Sequence, residues 1–158
     1  MRKLVFLTAL SLLLVPAVSQ AEDNVGFRGW GPRVGLSVNP DQVVFGAHAD
    51  FGQFAKRIRF QPNVELGLGE SFTTLSINGD FSYRFVSKWD SWSPYAGGGV
   101  GLNMAFLDGD TKNTADFGVS LLGGIERGLS GGGRLFLEAK LGLVDSADAK
   151  FMVGWTIF

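Results

Sequence analysis

His48 is the single histidine of the sequence, and it stands two residues before Asp50. On an extended strand that spacing puts both side chains on one face, where a carboxylate could orient an imidazole for general-base work. Nucleophilic catalysis would also need a hydroxyl close by, and no Ser or Thr falls in an obvious nucleophile position. Ala47 and Ala49 flank His48, so the opposite face of that segment carries no chemistry. Hydrogen bonding is therefore the expected role of His48, and no catalytic residue is expected. With one His and no Cys, no zinc site is expected either. Asp108-Gly109-Asp110-Thr111 and Asp145-Ser146-Ala147-Asp148 cluster carboxylates, but without the ligand spacing of a dedicated calcium loop. They read as solvated turns. The run Gly97-Gly98-Gly99-Val100-Gly101 is not a phosphate cradle, because no helix follows and no Lys-Ser/Thr closes it. No cofactor is expected.

The elements that must carry these residues are strands, since almost the whole chain alternates with a period of two. Ile58, Phe60, Pro62, Val64, Leu66 and Leu68 share one face, and Arg59, Gln61, Asn63, Glu65 and Gly67 the other. Leu75, Ile77, Phe81, Tyr83 and Phe85 continue the apolar face in the next segment, against Asn78, Asp80 and Arg84. Segments of this kind are cut at 30–38, 43–52, 58–68, 74–85, 92–106, 115–126, 134–143 and 148–157, with turn-like pieces between them, among them Phe54–Arg57. Sorted by parity, one face of all these segments carries no charge at all, while the other holds a near balance of acids and bases. No segment within them keeps a helical 3.6 period, so an all-β fold is expected.

Residues 1–21 read as a removable signal peptide: Arg2 and Lys3, an apolar run Leu4–Val15, then Pro16 and the small-residue site Ser19-Gln20-Ala21. Residues 22–158 would then form one domain. All 23 Gly fall in that part, interleaved with large apolar residues, so it is not low-complexity. The formal net charge is −1, and loss of Arg2 and Lys3 would make it more acidic. That excludes the usual basic nucleic-acid binder. The absence of Cys excludes a disulfide scaffold, a thiol nucleophile and a lipid-anchored lipoprotein. An exported, strand-only chain belongs to the periplasm, the exterior or the outer membrane.

Alternation alone leaves two all-β solutions, because either face could be the inside. A soluble lipocalin-like barrel would turn the apolar face inward. A membrane barrel would turn it to lipid and fill its lumen with the polar face. The apolar face is larger than the interior of a small barrel normally holds. Aromatic residues also collect at strand ends: Trp30, Phe51, Phe60, Tyr83, Phe85, Trp92 and Trp155 at one end, Phe45, Phe72, Phe106, Phe117 and Phe151 at the other. Two girdles bounding an apolar band suit a bilayer. Trp89 and Trp92, in Ser87-Lys88-Trp89-Asp90-Ser91-Trp92, are expected at the periplasmic rim. The expected fold is an eight-stranded, antiparallel, up-and-down transmembrane β-barrel.

From about Trp30 to Phe158 the chain resembles the small eight-stranded outer-membrane barrels of Gram-negative bacteria, the OmpA/OmpX-type family. The resemblance rests on Pro94-Tyr95-Ala96-Gly97-Gly98-Gly99-Val100-Gly101-Leu102-Asn103, like a fifth strand of such proteins, and on the terminal Phe158. It implies residence in the outer-membrane bilayer and insertion by the outer-membrane assembly machinery, which reads the last strand. Phe151, Val153, Trp155 and Ile157 make the lipid-facing series there, so Phe158 is out of phase by one. A bulge or an interfacial Phe158 would reconcile this. Related barrels include lipid A deacylases, whose His and Ser face the membrane; His48 points the other way, and no lipid A palmitoyltransferase pattern is present.

Inside an eight-stranded barrel there is room for its own side chains and little else. The expected lumen network is Arg33, His48, Asp50, Arg59, Gln61, Asn63, Glu65, Asn78, Asp80, Arg84, Asp116, Glu126, Arg134, Glu138 and Lys140. A turn about Ala55–Lys56 sets His48 opposite Asn63, and one about Glu70 sets Asn63 by Asn78 and Gln61 by Asp80. Arg59 would lie diagonal to Asp80. A self-neutralising plug is the expected state, since an unpaired buried charge is costly. The small row Gly97, Gly99 and Gly101 would make room for a large partner such as Phe136 or Arg84; a narrow water-filled slot is the sharper alternative. The expected protein is thus a monomeric, non-enzymatic outer-membrane barrel with a structural or surface-interaction role and no nucleic-acid partner. A narrow channel or small-ligand carrier comes second, a membrane-embedded lipid A hydrolase third.

Overall fold

The computed structural model describes residues 25–70, 72–86, 91–107 and 114–158. The expected signal peptide, Trp89 and the Asp108/Asp110 turn lie outside the described residues. Eight strands follow in order: β1 (Val25–Val38), β2 (Gln42–Ala55), β3 (Ile58–Leu68), β4 (Phe72–Arg84), β5 (Ser93–Leu107), β6 (Thr114–Gly128), β7 (Arg134–Val144) and β8 (Ala149–Thr156). Each pairs with its sequence neighbours, and β1 pairs antiparallel with β8, so the sheet is a closed barrel. Closure leaves no long unpaired edge.

The faces are inverted relative to a water-soluble protein. Arg33, Glu65 and Glu126 are 3%, 1% and 1% exposed, whereas Leu36, Phe45 and Phe151 are 59%, 49% and 58% exposed. Charges fill the inside and aliphatic and aromatic side chains coat the outside, which is the membrane-barrel solution. The lipocalin-like alternative requires the reverse and is ruled out. Trp30, Tyr83 and Trp155 stand exposed near the end where β1 begins and β8 finishes, the terminal end, and Trp92 lies half-buried just before β5. At the opposite end Phe45, Phe106, Phe117 and Phe151 are exposed.

The pairings His48↔Asn63, Asn63↔Asn78 and Gln61↔Asp80 are those the turns dictate. Most strand ends lie within two residues of the expected ones, and two differ by more. β1 begins at Val25 rather than at 30, because Gly29 and Val25 still find partners in Asp50 and Gly52. β2 continues to Ala55, so Phe54 belongs to a strand rather than to a turn. The cause is a bulge: Gly52 has φ 72°, a left-handed conformation natural to glycine. Its N–H donates to Asp50 Oδ1 at 2.8 Å. Pairing then shifts through Gln53↔Arg59 to Ala55↔Ile58, and parity flips. Phe51 and Phe54 can therefore both contact outer-face rings, Phe51 those of Phe27 and Phe60, Phe54 that of Phe81.

The β1–β8 seam closes so tightly that a Cβ on Gly31 would strike the main-chain carbonyl of Trp155. Backbone cannot yield as a flexible side chain does. Gly31→Val is expected to cost about 3 kcal/mol, the upper range for overpacking. The check is urea unfolding in lipid vesicles. Gly26→Val, where a Cβ meets nothing within 4 Å, should leave the midpoint unchanged.

Candidate functional site

The lumen holds the polar chemistry, in three tiers. At the terminal end, Glu126 on β6 is held by three arginines: Arg59 Nη1 at 2.6 Å, Arg84 Nη2 at 2.6 Å and Arg134 Nε at 3.2 Å. Arg134 also pairs with Asp50. Arg59 and Arg134 further lie over the rings of Tyr95 and Phe158, at 5.2 and 5.3 Å. Such sharing suits a buried charge, which is tolerated when paired and hydrogen-bonded on several sides.

Above this lies an apolar tier of Tyr95, Leu122 and Phe136, all buried. His48 packs edge-on against Phe136, centroids 5.1 Å apart, and its Nε2 is 2.8 Å from Thr156 Oγ1. Opposite Phe136 stands Gly154, at whose Cβ position the Phe136 ring sits. Tyr95 ties the tiers together by donating from its hydroxyl to Glu138 Oε2 at 2.9 Å.

The third tier is charge-balanced. Arg33 Nη2 donates to Glu138 Oε1 at 2.5 Å, and Lys140 Nζ to Asp80 Oδ2 at 2.5 Å. Lys150 Nζ reaches Glu65 Oε2 at 2.9 Å, while Arg33 Nε lies 3.5 Å from Glu65 Oε1. Asn63 donates to Asp80 at 2.7 Å and accepts from Asn78 at 2.9 Å.

Arg33, His48, Asp50, Arg59, Asn63, Glu65, Asp80, Glu126, Glu138 and Lys140 are all buried in the lumen. Arg84 lies at the mouth, with a side chain 39% exposed, and Asp116 is exposed at the opposite mouth. Arg59 does not turn to Asp80 as its register position suggests. It crosses to Glu126 because Lys140 already occupies Asp80. Tyr95 and Thr156 were not singled out by the sequence, although parity puts Tyr95 on the face of Gly97 and Gly99. Phe158 needs no bulge: Ile157 bridges to Trp30, and Phe158 turns to the inner side of the mouth, under Arg134.

The glycine row is filled space. A Cβ on Gly97 would meet the Phe81 carbonyl, one on Gly99 the Asp80 carboxylate and one on Gly101 the Asn78 amide. These groups, rather than Phe136 or Arg84, need the room. Pockets open at the two mouths, about 520 Å³ at the terminal end and about 240 Å³ at the other. Among the described residues no group of three or more His, Asp or Glu is placed to hold a metal ion.

No family model matches the chain, and no curated protein matches it in sequence. Solved structures do match in fold. Neisserial surface protein A superposes with a TM-score of 0.69 at 15% identity, covering 86% of this chain and 99% of that one. The outer membrane enzyme PagL gives 0.52 at 14% identity, with 82% and 99% covered. The Yersinia pestis outer membrane protein Ail gives 0.50 at 11% identity, with 82% and 97% covered. The chain has the fold of small eight-stranded outer-membrane barrels.

Proposed function

We propose that this chain is a monomeric outer-membrane barrel with a structural or surface-interaction role, its lumen sealed, and that it catalyses no reaction. Continuous filling of the lumen supports this reading. Ion-paired tiers lie on either side of Tyr95, Leu122 and Phe136, and apolar constrictions exclude water and ions. The glycine row, whose alternative reading was a slot, is occupied by Asp80, Asn78 and backbone. A role at the surface agrees with the likeness to a neisserial surface protein, although the turns at 39–41 and 145–148 are short and offer little area for adhesion. Insertion by the outer-membrane assembly machinery through β8 follows from the same reading.

Expressed in a Gram-negative host, the protein should fractionate with the outer membrane and show heat-modifiable gel mobility. Purified and added to planar bilayers, it should give no unitary conductance. Discrete, salt-dependent openings would overturn the sealed-lumen reading. The enzymatic alternative has one point in its favour, the fold shared with PagL. Against it, His48 is buried in the lumen and occupied with Thr156. Lipid A from cells making the wild-type chain or His48→Ala should be the same, and any loss of acyl chains that depends on His48 would reinstate catalysis.

A further inference from the structure

The terminal mouth of the barrel carries more cation than its carboxylates use. Among the described residues, Arg59, Arg84 and Arg134 converge there on Asp50 and Glu126, three guanidinium groups against two carboxylates. Both carboxylates are ion-paired, although Glu126 Oε1, 2.6 Å from Arg84 Nη2, makes no hydrogen bond among the described residues. Glu126 receives all three arginines, and Asp50 receives Arg134 and the Gly52 N–H. The guanidinium groups are not saturated, for each carries five N–H donors. Among the described residues, the Nε atoms of Arg59 and Arg84 find no hydrogen-bond partner and are buried, and Arg59 itself is 3% exposed. These three arginines line a pocket of about 520 Å³ together with Arg28, Phe158 and Asp50, whose carboxylate Arg134 already pairs. A buried donor that finds no acceptor in the protein is costly, and forked guanidinium donors match the oxygens of a phosphate.

We propose that this mouth is an anion site that takes a phosphate group, held by Arg59, Arg84 and Arg134. The group supplies the missing negative charge and acceptors for guanidinium N–H donors of the arginines that line the mouth. Its source is either free phosphate in the aqueous compartment or the headgroup of a lipid at the rim, which Trp30 and Trp155 set near this end.

The test is calorimetric titration of the full, folded protein in a maltoside detergent with inorganic phosphate. Saturable binding at about one phosphate per chain is expected. Arg84→Gln removes a partly exposed side chain, so the barrel should still fold, as heat-modifiable mobility will verify. It should weaken binding by about tenfold, the worth of a charge-assisted hydrogen bond. Arg127→Gln makes the same change of charge at an exposed residue that does not line the pocket, and should leave affinity within about twofold. Absence of saturable binding overturns the proposal, and so does equal weakening by both variants, which would mean diffuse attraction only. Repetition in phosphatidylglycerol nanodiscs separates the sources. Persistence of phosphate binding there assigns the site to the free ion, and its loss assigns it to the headgroup.

Discussion

Glu126→Gln should cost the barrel about 3–5 kcal/mol, the range for stripping one partner from a buried ion pair. Measured as a urea midpoint in lipid vesicles, this is the largest effect expected of any lumen charge. Glu126 is 1% exposed and holds Arg59, Arg84 and Arg134 within 3.2 Å. Its amide would keep the shape and lose the charge, leaving three guanidinium groups beside Asp50 alone among the described residues. Arg84→Gln removes one member of the same cluster at the mouth and should cost no more than about 1 kcal/mol, as for exposed pairs. Adding Arg59→Gln to Glu126→Gln removes one of the stranded charges and should recover part of the loss, a coupling that separate single changes would not show. A Glu126→Gln midpoint equal to wild type would mean that water or a bound anion, rather than the carboxylate, compensates these arginines.

Parity explains why so much of this arrangement was legible in advance. Strand period is two, so assigning Val64 outward fixes Asn63 and Glu65 inward, and short turns fix which residues face each other. His48↔Asn63 and Gln61↔Asp80 follow from nothing more. The limits are equally physical. Arg59 and Glu126 sit on β3 and β6, which never touch as ladders, so their pairing depends on barrel curvature and side-chain reach that a register cannot express. Gly52 fails differently. Nothing in Asp50-Phe51-Gly52-Gln53 distinguishes a strand glycine from a bulge, and one left-handed residue is enough to move Phe54 from a turn to the outer face. Tyr95 was readable but overshadowed, since a polar list by residue type passes over an aromatic whose hydroxyl finds a carboxylate inside.

The second large effect is expected where shape, not charge, decides. Phe136→Ala should cost about 3–5 kcal/mol by the same urea measurement, the range for truncating a buried aromatic. Phe136 is 2% exposed, packs on His48 and lies beneath the Arg33 guanidinium at 5.5 Å. Its ring also occupies the place where a Cβ of Gly154, its direct cross-strand partner, would project. Gly154→Ala should therefore be destabilising by itself, by about 1–3 kcal/mol of overpacking. In the Phe136→Ala background the same methyl would enter vacated space, so the penalty should vanish or reverse. Aromatic and glycine are thus two halves of one packing unit, and the double variant should be more stable than the sum of the singles predicts. Additive penalties would show that Gly154 serves the backbone of β8 and not the ring of Phe136, and the apolar tier would then rest on Tyr95 and Leu122.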